Sequence, residues 1–308
     1  MKRLVFFLPL IFLFVFISCE EKETKITEDI AVYETVDKPP LSKTKLSSEF
    51  KDYWYNGDAE ITSYKLEQAR YGEIREGSAV MVFVTEDFLP DLQVKADNYS
   101  KKNIPVLKLN ATKKFNTGIY PYSIMQSTFY PVSNNEHALK VTASVQDWCG
   151  HVYSQLNNRK QFELISHSYF QGEADQNYKL NKTWIENELW TKLRINPKSL
   201  PTGDIDIIPS LEFTRLKHQE IKAYKAFAVL KDGMYMLSYP SLNRTLQINF
   251  ETSFPYQINS WEETSVNGYG SNSKTLTTKA TRLESIKSAY WNKNSNVDTG
   301  LRKTLKLQ

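Results

Sequence analysis

Cysteine is nearly missing from this chain, with two residues in 308, Cys19 and Cys149. If Cys19 is committed elsewhere, Cys149 has no partner for a disulfide framework, and no close cysteine pair exists for zinc. Histidine is scarce too. His137, His151, His167 and His218 show no two-histidine helix motif, so neither metal nor cofactor is expected. A strong surplus of one charge is also absent. The formal net charge of +4 falls to +2 once Lys2 and Arg3 leave with residues 1–18. A nucleic-acid partner needs a concentrated basic face, so that class is set aside. There is no internal repeat.

What is present begins at the N-terminus. Lys2 and Arg3 precede an apolar run over residues 4–17, interrupted only by Pro9, and then Ser18-Cys19 meets Glu20, Glu21, Lys22 and Glu23. The run is shorter than the ~20 residues a membrane-spanning helix needs. A basic start, a short apolar core and a small residue at the cut point make a secretory signal. Phe16-Ile17-Ser18-Cys19 resembles a bacterial lipoprotein box, with Phe16 where leucine is usual. That resemblance implies lipid on Cys19 and a membrane partner through the anchor. One acyl chain at ~0.8 kcal/mol per methylene binds reversibly, whereas the several chains of a mature lipoprotein hold firmly. The expected location is the outer membrane, facing the periplasm or the cell surface. The acidic cluster Glu20, Glu21 and Glu23 resembles a surface-export tag of one group of Gram-negative bacteria. Cys19→Ala is expected to release the protein from membranes or block its processing, as fractionation would show.

The organisation expected is a signal peptide over 1–18, a lipidated cysteine and flexible tether over 19–45, and one β-rich domain over 46–308. The tether is polar, with Pro39-Pro40 at its centre. Ser48 reads as the N-cap of a short helix through Phe50, Tyr53 and Trp54. A hairpin follows, with arms over 60–71 and 78–85. Its turn, Gly72 to Ser78, has phosphate-loop glycine spacing, but Ser78 replaces the required lysine and a strand-like run follows, which argues against nucleotide. Further strands are expected at 104–109 and within 118–132, where Pro121 and Pro131 mark strand ends or an edge. Thr183-Trp184-Ile185-Glu186 has capping-box spacing for a helix to about Arg194, presenting Ile185, Leu189, Trp190 and Leu193. The last third reads as a meander. Ile221, Ala223, Phe227 and Val229 share one face, Asp232-Gly233 turns the chain, Leu246, Ile248 and Phe250 alternate with polar residues, and Asn267-Gly268 marks another turn. Aromatics at 13%, including 18 tyrosines, suit this sheet-rich composition. The fold class expected is mainly β: a strongly curved antiparallel sheet or open barrel with a few short helices.

The candidate site lies in 139–155, read as one strand. Val141, Ala143 and Val145 set an inward face that Asp147, Cys149, His151 and Tyr153 would continue. Cys149 and His151 are the residue types of a thiol hydrolase. Side chains two apart on a regular strand stand ~6–7 Å apart, however, and a nucleophile–base hydrogen bond needs ~2.6–3.2 Å. Gly150 permits a bulge that would shorten the gap. Trp148, Cys149, His151 and Tyr153 are otherwise candidates for the mouth of a cavity holding an apolar or glycan ligand.

Four segments, Ala59 to Tyr64, Tyr71 to Gly77, Phe115 to Ser123 and Trp148 to Tyr153, resemble a family of envelope lipoproteins whose members carry the label "septum formation inhibitor Maf". Genuine Maf proteins are nucleotide pyrophosphatases with an early Ser-x-Ser-Pro-Arg-Arg motif, and no Ser-Pro-Arg occurs here. The resemblance implies an envelope lipoprotein and brings no catalytic residues. The meander is also similar to lipoprotein carriers with a curved sheet, an analogy of fold alone. The function expected is a membrane-anchored, non-enzymatic binding or assembly module. A carrier of lipid or hydrophobic ligand and a thiol-dependent hydrolase using Cys149 and His151 remain open.

Overall fold

The computed structural model describes residues 45–133 and 136–307. The signal, Cys19 and almost all of the expected tether lie outside the described residues. Helix α1 (Ser48–Trp54) opens one residue earlier than expected. The N-cap is Ser47, whose hydroxyl accepts the Phe50 N–H at 3.1 Å, and the helix buries Phe50 and Trp54.

Strands β1 (Ala59–Arg70) and β2 (Glu73–Leu89) follow, joined by Tyr71-Gly72. Both turn residues have positive φ, 55° and 78°, as a tight two-residue hairpin requires. The turn is therefore shorter than expected, and Glu73 to Ser78 belong to β2. A Cβ on Gly77 would stand 2.3 Å from the Lys114 carbonyl oxygen, so this glycine serves close strand packing.

The sheet continues with β3 (Val94–Lys95), β4 (Ile104–Thr117), β5 (Tyr120–Pro131), β6 (Lys140–Asp147), β7 (Gly150–Asn158), β8 (Phe162–Ser168), β9 (Gln176–Leu180) and β10 (Trp184–Ile185). Helix α2 (Glu186–Ile195) comes next, then β11 (Gly203–Ile208), helix α3 (Leu211–Lys217), β12 (Tyr224–Lys231), β13 (Met234–Tyr239) and β14 (Arg244–Phe250). Strands β15 (Ile258–Asn267) and β16 (Lys274–Ser288) and helix α4 (Gly300–Thr304) complete it.

The expected single strand over 139–155 is two strands. Asp147 Oδ1 accepts the Cys149 N–H at 2.6 Å, an Asx turn, and Gly150 at φ 150° lets the chain reverse. The reversal changes the side-chain parity. Val141, Ala143 and Val145 face inward on β6, and Val152, Ser154 and Leu156 do so on β7, which turns His151 and Tyr153 to the opposite face. A similar correction applies on β12. Ala226 and Ala228 are buried and Phe227 is 48% exposed, the reverse of the expected face, and both alanines pack in the cluster that holds Leu189 and Leu193 of α2.

The strands form one sheet ordered β10-β11-β12-β13-β14-β15-β16-β1-β2-β4-β5-β6-β7-β8-β9, with β3 on β2. Every pairing is antiparallel except β10 with β11. The two edge strands are consecutive in the chain, joined by residues 181–183, which reach at most ~14 Å. Tyr178 and Leu180 near one edge share an apolar cluster with Ile185 and Ile208 of the other. The sheet thus curls until its edges adjoin, yet no ladder joins β9 to β10. It is an open antiparallel barrel, with the curvature expected of a strongly twisted sheet.

Helix α2 occupies the lumen. Surface helices bury one stripe, but here Glu186, Asn187, Glu188, Leu189, Thr191, Lys192, Leu193 and Arg194 are all buried. The side chains of α2 reach opposite walls: Arg194 meets Glu60 on β1, Lys192 meets Tyr130 on β5, and Glu186 meets Tyr239 and Arg244 on β13 and β14. Thr183 is not the cap. The Ile185 N–H is held by the Glu188 carboxylate at 3.2 Å, while Thr183 bonds the Asp206 carbonyl. A smaller cluster places Leu305 against Ala59, Ile61 and Val84, so β1 is covered on both faces.

Candidate functional site

Burying charge inside a barrel requires partners, and α2 finds them. Arg194 forks onto Glu60 at 2.6 and 2.7 Å, with both side chains 1% exposed. The Tyr53 hydroxyl donates to Glu60 at 2.5 Å, and Arg194 Nε donates to the Pro255 carbonyl at 2.8 Å. Burial alone would raise the Glu60 pKa, but the Arg194 guanidinium outweighs it and holds the carboxyl below its ordinary value. Arg244 forks onto Glu186 at 2.5 and 2.7 Å and reaches Glu263 at 3.0 Å. Glu188 accepts from the Ala138 and Ile185 N–H groups and contacts His137. Glu212 on α3 pairs with Lys113 at 2.7 Å. The interior cavity left beside Trp190, Trp261 and Glu186 measures about 40 Å³, room for about three waters. At that size this cavity does not hold an acyl chain.

Concave space lies at one rim instead. Because neighbouring strands are antiparallel, their connections alternate between two ends of the barrel. The β1–β2, β13–β14 and β15–β16 turns share one end with the C-terminal part of α3. Between them is a groove of about 390 Å³, with Arg70, Tyr71, Lys217, Asn243, Asn267 and Tyr269 among its lining residues. Leu216 and Phe213 add apolar area, and Ser241, Ser265 and Gln219 add neutral polar groups. No aspartate or glutamate lines it. Tyr71 is half-exposed and Tyr269 more so, and the Arg70 guanidinium lies 4.2 Å from the Tyr71 ring centre. Lys217 Nζ donates to the Val266 carbonyl and Asn267 Oδ1, both at 2.7 Å. Its pKa is pushed down to about 8, chiefly by burial. Glu263 opposes that shift, while Arg70 and Arg244 reinforce it.

The residues singled out in sequence lie elsewhere. Trp148 and Cys149 form the exposed tip of the β6–β7 hairpin, and His151 is exposed beside them on the outward face. Tyr153 is half-buried there and donates to Gln155 at 2.9 Å. Cys149, His151 and Tyr153, with His167, Tyr169 and Asp175, border a wide, open basin of about 700 Å³. The Cys149 thiol faces the Tyr169 hydroxyl, and no hydrogen bond joins it to His151 among the described residues. Gly150 accommodates the Tyr169 ring, which a Cβ would strike at 2.6 Å. So Cys149, His151 and Tyr153 are neighbours outside the barrel, not on the expected inward face. No group of three metal-ligating side chains occurs among the described residues, and no helix among them is long and apolar enough to cross a membrane.

Arg70 and Lys217 carried no signal in the sequence. Arg70 ends an alternating strand, and Lys217 sits in the last turn of a short helix, where a cation is unremarkable.

No family model matches the chain, and no curated protein matches it. Among solved structures it is similar to a β-barrel-like protein of domain of unknown function DUF1849 from Brucella abortus, with TM-score 0.42 and 7% identity, covering 75% of this chain and 97% of that one. A porin-like protein from Bacteroides uniformis aligns with TM-score 0.21 and 8% identity, covering 73% and 95%. At such values neither bears on what this chain does.

Proposed function

We propose that this protein is a non-enzymatic binding module of the cell envelope, anchored by lipid on Cys19, and that its ligand is a glycan-type molecule seated in the rim groove. One observation carries the reading: the groove combines ligand-sized volume, the exposed Tyr269 side chain, the half-exposed Tyr71 and a dense set of neutral hydrogen-bonding groups. Sites of a few hundred Å³ with apolar walls and a few placed polar groups are the usual small-molecule sites. The carrier alternative would require α2 to leave the lumen, breaking its ion pairs with the wall. The hydrolase alternative would require Cys149 and His151 to close a hydrogen bond at a solvent-exposed tip.

The test is a saccharide titration of wild type and Tyr269→Ala. Tyr269 is 69% exposed, so its removal is expected to move unfolding by less than about 0.5 kcal/mol. Loss of a ring that stacks on a sugar is expected to weaken binding about tenfold, since each 1.4 kcal/mol is a factor of ten. Unchanged affinity in Tyr269→Ala would place the ligand elsewhere, and Tyr153→Ala on the outer basin is then the next variant to titrate.

A further inference from the structure

Three buried arginines invite comparison. Arg194 and Arg244 each fork onto a buried carboxylate. Arg70, 6% exposed, has none. Its Nη1 donates to the Leu216 carbonyl at 2.6 Å, its Nη2 donates to the Tyr71 and Tyr122 hydroxyls at 3.0 and 3.1 Å, and its buried Nε has no partner. Lys217 is likewise held only by neutral oxygens. The carboxylates beside this pair are already engaged, Glu263 by Arg244 and Glu212 by Lys113. A buried cation without a counter-charge is costly, and this fold gives both Arg194 and Arg244 a carboxylate to hydrogen-bond. Here it brings buried Arg70 and partly buried Lys217 to one groove floor, and among the described residues neither is hydrogen-bonded to a carboxylate.

We propose that Arg70 and Lys217 form an anion-binding floor in the rim groove, which takes the carboxylate or phosphate of an acidic saccharide. Arg70 supplies a fixed positive charge at the floor, its Nη atoms already donating to Leu216, Tyr71 and Tyr122, and Lys217 adds a compact charge. The tyrosines and the Asn243 and Asn267 amides are left to meet the neutral body of the sugar. This deepens the groove reading above and rests on it.

The experiment titrates the full chain with D-glucuronate, D-glucose and inorganic phosphate by calorimetry, in wild type, Arg70→Met, Lys217→Met and Tyr269→Ala. Glucuronate is expected to bind at least tenfold more tightly than glucose. Lys217→Met is expected to lose about tenfold, and Arg70→Met to abolish anion binding while unfolding no earlier than wild type. Should Arg70→Met fail to fold, Lys217→Met decides between the outcomes. The glucuronate affinity is also expected to fall about tenfold between pH 7 and 9.5 as Lys217 deprotonates among Glu263, Arg70, Arg244 and the Tyr71 and Tyr269 hydroxyls, and this decline should vanish in Lys217→Met. Phosphate binding as tightly as glucuronate supports the anion floor and points to a free phosphate ligand. Equal binding of glucose and glucuronate overturns the anion floor and leaves the groove standing. Anion binding untouched by Lys217→Met and Tyr269→Ala overturns both, as does binding of none of the three probes.

Discussion

Arg194→Met is expected to lower folding stability by about 3–5 kcal/mol, the usual consequence of stranding a buried charge. For a chain of this size that is a fall of roughly 10 °C in Tm. The cause is Glu60, which is 1% exposed and would lose its forked partner, keeping the Tyr53 hydroxyl at 2.5 Å, the Thr62 hydroxyl at 3.4 Å and the Lys287 charge. The guanidinium also packs 4.6 Å from the centre of the Phe83 ring, a contact methionine replaces only in part. The control is Glu60→Gln with Arg194→Met. Removing both charges should recover much of the loss, because an ion pair exchanged for neutral groups is often close to neutral. Failure of the double variant to recover would assign the effect to packing.

Arg244→Met should be at least as damaging, because it strands two carboxylates. Glu186 and Glu263 both meet this guanidinium, and the Tyr239 hydroxyl would remain as the close donor to Glu186. The pH dependence gives this prediction its signature. In wild type the partial burial of Glu263 would raise its pKa, but Arg244 holds it below the ordinary value. Its folded-state pKa is thus depressed, so its contribution is present above pH ~4.3 and is lost as pH falls through the folded value. Without Arg244 the largest opposing charge is gone, Lys113 and Lys217 are left to oppose burial, and the folded pKa rises. The folded variant then binds more protons than folded wild type, so it loses less stability than wild type as pH falls from 7 toward 5. Urea unfolding at the two pH values should show the gap between variant and wild type narrowing at pH 5. A gap that stays constant would contradict the assigned role of Arg244.

These effects were invisible in the sequence for a physical reason. Glu186, Glu188, Lys192 and Arg194 read as the solvated face of a short amphipathic helix, because charged residues are rarely buried. Only the closure of the sheet around α2, set in part by a partner more than a hundred residues away, reverses that face. Local signals survived better. Asp232-Gly233 turns β12 into β13, Asn267-Gly268 opens the turn before β16, and Leu246, Ile248 and Phe250 face inward as their alternation requires. Proline kept its meaning too, with Pro131 closing β5. The reading of 139–155 as one strand failed because an Asx turn at Asp147 uses no proline and breaks the apolar alternation only at its tip. The parity past the turn then reversed, which moved His151 and Tyr153 to the outside. The rim groove could not be read at all, since it is assembled from three turns and a helix end that meet only in the closed sheet.

The proposed rim-groove site rests on a lumen plugged by a fixed α2. Native-state hydrogen exchange on the unliganded protein tests this most directly. The amides of residues 189–195 are predicted to exchange only through global unfolding, with the same opening free energy as the slowest amides of β2 and β4. If α2 exchanges about a hundredfold faster than those strands, the helix leaves the barrel on its own, and the lumen rather than the rim becomes the site.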